Sequence, residues 1–273
     1  MMDAVLFGVA LFFLFIAFLH YLLFLVYQNP VVPRVARYSL YLTLAAQTGI
    51  FIDRFARGGV PLGTNMYESL MFFSWCIIIV YLLITTRYNV PVAGAFVIPI
   101  SFMLMAAAAF LPDKGITELS PALKSYWLPI HVSFSFMGDA LFAMAFGSGI
   151  MYLIQERQLK RKRPGAFYYR LPSLEVLDAI NYRALTIGFP LLTMGIITGS
   201  IWAQYAWGAY WSWDPKETWS LVTWFIFAAL LHTRLTIGWR GRKAAILVII
   251  GFLAVLFTFL GVNLLLSGLH SYN

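Results

Sequence analysis

AVLFGVALFFLFIAFLHYLLFLVY, residues 4–27, holds one histidine and no charged side chain. About 20 apolar residues at roughly 1.5 Å rise each cross the hydrocarbon layer of a bilayer, and this run is longer than that. It also far exceeds the roughly ten alternating residues of a membrane β-strand. Backbone groups in hydrocarbon must find their hydrogen bonds inside the segment, so the run is read as a helix. Upstream, Met1 to Ala4 offers neither a basic region nor a small-residue cleavage site, so the run is expected to be a retained first span and not a signal peptide. Downstream, apolar runs at about 36–53, 66–86, 91–111, 127–154, 184–203, 217–238 and 244–269 repeat the pattern. The sequence thus predicts an all-α polytopic membrane protein of about eight transmembrane helices. It is expected to form a single membrane domain over 1–273, with a Trp-rich loop at about 204–219.

Composition agrees, because a chain of 273 residues that is 61% hydrophobic and 11% charged has more apolar surface than one soluble core can hide. Eight spans put both termini on one side. If that side is non-cytoplasmic, fourteen of the nineteen Lys and Arg residues fall in inside loops, chiefly the connection from Gln155 to Arg183, and five fall outside. That is the asymmetry of the positive-inside rule. It accounts for the net charge of +8 as contact with the lipid bilayer and leaves no nucleic-acid partner to invoke. Cys76 is the only cysteine, so the chain has neither a disulfide nor a Cys-x-x-Cys pair of its own.

Five of the nine tryptophans stand between 207 and 224, in WGAYWSWDPKETWSLVTW. An interfacial aromatic belt spreads over all helix ends, whereas here the rings crowd one connection. Trp207, Tyr210, Trp211, Trp213, Trp219 and Trp224, with Gly208 allowing close backbone approach, suit a platform for a flat apolar ligand. Asp214, Pro215 and Glu217 also read as N-cap, N1 and N3 of a capping box that starts the next helix, which discounts them as chemical groups. Lys216 is disfavoured by the helix dipole and points to an anionic partner, lipid phosphate or a haem propionate.

The chain has four histidines. His131 and His270 fall near helix ends on the side of the Trp-rich segment, while His20 and His232 fall deep within spans. Two neutral imidazoles on opposite faces of a macrocycle are a standard way of holding haem iron. A zinc site is the weaker alternative, since no Cys, Asp or Glu stands nearby at ligand spacing. Ionisable residues within the bilayer are a functional hypothesis by default, so His232 is a candidate transit ligand. His20 either shares that role or hydrogen-bonds within the bundle.

The segment WGAYWSWDPKETWSLVTW resembles the WWD signature of haem-handling membrane proteins, in the CcsA/ResC form of System II cytochrome c biogenesis. PLGTNMYESL (61–70), LPIHVSFSFMGDAL (128–141) and GFPLLTMGIITGSIWA (188–203) extend the resemblance over most of the chain. It implies a subunit that carries haem b to the outer face and presents it to apocytochrome c, whose Cys-x-x-Cys-His segment supplies the thiols, together with a CcsB/ResB-type membrane partner. It further implies His131 and His270 as axial ligands, residues 207–219 as the haem-presenting motif, and His232 as the membrane histidine. In the family scheme the second membrane histidine belongs to the partner, which leaves His20 incidental or a local substitute. On this reading the complex acts by positioning haem, without a protein nucleophile, in a bacterial cytoplasmic membrane in preference to a thylakoid. A haem exporter without a role in thioether formation, a HemX-like regulator and a quinone-binding subunit are the competing readings.

Overall fold

The computed structural model describes residues 2–58, 63–112, 115, 124–161, 165–266 and 268. Among them there is helix and no strand, in the order α1 (Met2–Val26), α2 (Val31–Gly58), α3 (Met66–Tyr88), α4 (Gly94–Phe110, entered through a 3-10 turn at Pro91–Ala93), α5 (Trp127–Lys160), α6 (Ala166–Arg170), α7 (Leu174–Trp207), α8 (Pro215–Thr236), α9 (Arg242–Leu256) and α10 (Val262–Leu265). A π-helical turn, Phe257–Gly261, joins α9 to α10.

Among the described residues each of the eight apolar runs is helical over most of its length, but only six helical segments are both long and apolar enough to cross a membrane: α1, α3, the segment Pro91–Phe110, α5, α7 and the segment Arg242–Leu265. The expected count of eight is corrected to six. α2 carries Arg34, Arg37, Gln47, Asp53, Arg54 and Arg57, and α8 carries Lys216, Glu217, His232 and Arg234 among several threonines. These polar groups dilute helices of 28 and 22 residues that are otherwise long enough. α5 has 34 residues, about 51 Å, and so exceeds the hydrocarbon thickness.

The chain forms two compact units, residues 1–118 with 154–176 and residues 119–153 with 177–273. In the first unit α1 packs on α2 and α4, and α3 packs on α4. The α1 stripe Phe7, Ala10, Leu14, Ala17, Tyr21 and Phe24 is buried at the three- and four-residue spacing of one helix face. A Cβ on Gly94 of α4 would stand 2.5 Å from the Tyr21 ring, so only glycine admits this approach. Arg54 ties three helices together. Its guanidinium, 1% exposed, pairs with Asp3 of α1 at 2.8 Å and Glu68 of α3 at 2.9 Å, and lies over the Tyr67 ring. Asn65 caps α3 by accepting the Glu68 N–H at 2.9 Å.

In the second unit glycines again set the helix spacing. A Cβ on Gly138 of α5 would meet the Leu192 nitrogen of α7 at 3.1 Å, and one on Gly149 would meet the Ala245 carbonyl of α9 at 3.1 Å. Such close approach maximises packing where lipid supplies no hydrophobic drive between helices. The Phe142 and Phe227 rings stack in the interior at 3.6 Å. At one end Arg234 of α8 grips Asp178 of α7 through both nitrogens, at 3.0 and 2.5 Å, and Asp178 also accepts the Gly241 N–H at the turn into α9.

Candidate functional site

The Trp-rich connection is built by two helix ends. α7 stops at Trp207 because Gly208 turns left-handed, φ +79°, while its N–H bonds back to the Gln204 carbonyl at 3.1 Å. A Cβ on Gly208 would meet nothing within 4 Å, so within the chain itself this glycine serves the left-handed backbone conformation. On the far side α8 begins with the capping box read from the sequence. Asp214 accepts the Lys216 N–H at 3.1 Å, and the Glu217 carboxylate accepts the N–H groups of Asp214 at 3.2 Å and Ser212 at 2.8 Å. Both carboxylates are buried in this work. A Cβ on Gly268 would fall 2.2 Å from Asp214 Oδ1, so Gly268 lies directly against the cap.

Fixing both ends of a short connection forces strain between them. Trp213 takes φ +56°, a left-handed conformation rare outside glycine and asparagine, and its side chain is 69% exposed. Trp211 packs edge-on against Trp213 at 5.8 Å, and Tyr210 is also exposed. Two further tryptophans of the motif serve the bundle. Trp219 packs on Phe257 of the π-turn at 4.4 Å, and Trp224 donates its ring N–H to Thr193 of α7 at 2.9 Å. Burial lowers the half-buried Lys216 ammonium to about 8, against the opposing pull of Asp214.

His131 sits four residues into α5, against a groove of α7 made by Gly195 and Gly199. A Cβ on Gly199 would lie 2.7 Å from the imidazole. The 2.7 Å contact from Nδ1 to the Gly195 carbonyl places the proton on Nδ1, where it donates, and the lone pair on Nε2, the nitrogen suited to iron. Ser135 Oγ lies 3.4 Å from the same Nδ1. The imidazole stacks parallel to Trp202, rings 6.4 Å apart, and Trp202 meets Trp207 edge-on at 5.1 Å. A line of rings thus runs from His131 to the start of the Trp-rich connection. Trp202 escaped the sequence reading, and its signal was its place one helical turn and a residue before Trp207, on the face that carries Gly195 and Gly199.

His232 is exposed on α8 of the same unit. His20 belongs to the first unit, half-buried, with Nδ1 2.8 Å from the Ile16 carbonyl of its own helix, the hydrogen-bonding alternative raised by the sequence. His270 lies outside the described residues. Among the described residues no three His, Cys, Asp or Glu side chains converge as a metal site.

Residues 63–270 match the family described as cytochrome c assembly protein. The cytochrome c biogenesis protein CcsA of a Synechococcus strain is 38% identical over 269 residues, covering 90% of this chain and 88% of that protein. The chain belongs to the CcsA family. Within it, CcsA of Mesostigma viride is 43% identical over 234 residues, covering 77% of this chain and 76% of that one. CcsA of Chlamydomonas reinhardtii is 45% identical over 221 residues, 79% of this chain, and the alignment spans 61% of the algal protein. Among solved structures the fold matches the cytochrome c haem lyase CcmF with a TM-score of 0.69 at 18% identity, covering 95% of this chain and 46% of the other. The CcsA sequence is therefore laid out on a helical scaffold shared with a distant protein of larger size.

Proposed function

We propose that this CcsA protein takes part in cytochrome c maturation by receiving haem as cargo and presenting it at the outer membrane face for covalent attachment to apocytochrome c. The supporting observation is the seating of His131, whose Nδ1–H is committed to the Gly195 carbonyl so that Nε2 offers its lone pair beside the Trp202–Trp207 rings. His270 is the second axial ligand of the proposal, and Gly268 against the Asp214 cap leaves a span of two residues to reach it. Trp213 and Tyr210 supply exposed aromatic faces for the macrocycle, with half-buried Trp211 edge-on to Trp213, and Lys216 a cation for a propionate.

On this reading the chain's residues orient and do not attack. Each client thiol adds across a vinyl C=C, sulfur to one carbon and hydrogen to the other, with no net electron transfer. Holding the macrocycle still beside a Cys-x-x-Cys-His segment supplies proximity. His232 is the proposed ligand during transit, haem b the cargo, and a CcsB/ResB-type protein the membrane partner. A bacterial cytoplasmic membrane, with the Trp-rich connection facing outward, is the proposed location and orientation.

The test is the absorption spectrum of the detergent-purified protein with its partner, beside His131→Ala and His270→Ala. Each variant is expected to lose the bis-histidine Soret and α-band pattern. Unchanged bands in both variants reject the ligand assignment. Transfer of haem to a Cys-less apocytochrome at the normal rate would instead favour export without attachment.

A further inference from the structure

Asp139 stands twelve residues into α5, about 18 Å from its start, deeper in a candidate span than any other acidic residue of the described chain. Among the described residues Asp3, Glu68, Asp178, Glu156, Asp53, Asp214 and Glu217 all have ion-pair or capping partners, and Glu175 lies in the exposed first turn of α7. Asp139, half-buried, makes no hydrogen bond and no ion pair there. Its direction follows from its neighbours on the helix. Ser135 touches α7 at Gly195, and Phe136 meets Phe259 beyond α9 at 5.1 Å. At 100° per residue Asp139 falls between these two, towards the interior of the second unit.

Its level follows from two ring pairs. Phe136 with Phe259 above and Phe146 with Phe252 below, at 4.9 Å, set antiparallel partners that bring Asp139 level with the π-turn Phe257–Gly261. There Val262 N–H bonds to the Phe257 carbonyl, five residues back, and a π-turn interrupts the carbonyl pairing of the α-helix, which is why such turns gather at functional sites. The Thr223 and Thr258 hydroxyls, 3.0 Å apart, add polar groups in the same part of the bundle.

The helices of the second unit that pack on α5 here offer no counter-charge. Residues 184–207 of α7, 218–231 of α8 and 244–266 of α9, π-turn and α10 included, contain no Asp, Glu, Lys, Arg or His. An isolated carboxylate in such surroundings carries a desolvation cost that a neutral acid avoids. We propose that Asp139 is a membrane-embedded proton-binding site on the face of α5 turned towards the π-turn. The site is independent of the haem reading, since neither its geometry nor its test involves haem.

Infrared difference spectra of the full chain in lipid nanodiscs, titrated with pH in sodium-free and sodium-containing buffer, decide it. The expected result is a protonated-carboxylic-acid carbonyl band at neutral pH that is absent in Asp139→Asn, displaced in Asp139→Glu, and unchanged by sodium. The Asp139→Glu arm reads the site even if Asp139→Asn folds poorly. No band at neutral pH, or one that survives both substitutions unmoved, overturns the proposal. A band abolished by sodium also overturns it, in favour of a metal-cation site.

Discussion

The imidazole of His131 owes its orientation to what α7 lacks. With Gly199 beneath the ring and the Gly195 carbonyl as acceptor, the side chain is held from below and from one edge, which fixes the tautomer. A side chain at Gly199 must displace the ring, because its Cβ alone would come within 2.7 Å. Gly199→Val is therefore expected to remove most of the haem absorbance that His131→Ala removes, with the helical circular dichroism of the parent retained; full haem occupancy in Gly199→Val would sever the groove from the ligand. Lys216 carries a second prediction at this scale. Its ammonium is charged below about 8, where burial has brought it, and an anionic group bound nearby favours the charged form. Anion binding then takes up a proton above that pH, so haem affinity is expected to fall as pH rises through about 8. In Lys216→Gln the slope should flatten, as read by haem titration at fixed ionic strength.

Arg54 shows how an element can be polar and still belong to the bundle. α2 fails as an apolar span because of its charges, yet Arg54 is 1% exposed and joins α1 to α3 through Asp3 and Glu68. Removing one member of a buried pair leaves the other uncompensated, at a cost of about 3–5 kcal/mol, whereas replacing both by apolar residues is often neutral. Arg54→Met is accordingly expected to lower the thermal unfolding midpoint in detergent steeply, and Arg54→Met combined with Glu68→Leu to recover much of the loss. Equal losses in the single and double variants would count against a pairwise role. Sequence made the apolar helices legible because long apolar runs such as 4–27 and 244–269 admit no other structure in hydrocarbon. It also gave the start of α8, because Asp-Pro-Lys-Glu satisfies orphan backbone groups locally. It counted α2 and α8 as spans from their apolar middles, whereas the charges and threonines along the whole helices leave them short of the apolarity of the other six. The π-turn after α9 and the Gly195–Gly199 seat of His131 were illegible, since both depend on which helix lies opposite.

For the molecule as a whole, the proposed site has meaning only if its exposed rings face the compartment where client thiols arrive. The Arg and Lys distribution predicts that side only if all eight apolar runs cross, and a direct measurement follows from the cysteine content. Cys76 is the only cysteine and is fully buried on α3, so the parent chain is expected to be silent to polar maleimides. Tyr210, 61% exposed in the Trp-rich connection, and Arg240, exposed in the turn between α8 and α9, lie beyond opposite ends of α8. If α8 crosses the bilayer despite its polar ends, a membrane-impermeant maleimide should label Tyr210→Cys in intact cells and Arg240→Cys only after permeabilisation. Labelling of both positions in intact cells would instead mean that α8 lies at the outer surface without crossing. That outcome would fit the apolarity shortfall of α8 and would move His232 out of the membrane and out of any transit role. Labelling of Arg240→Cys alone would invert the orientation and place the Trp-rich connection on the side where no outward presentation of haem is possible.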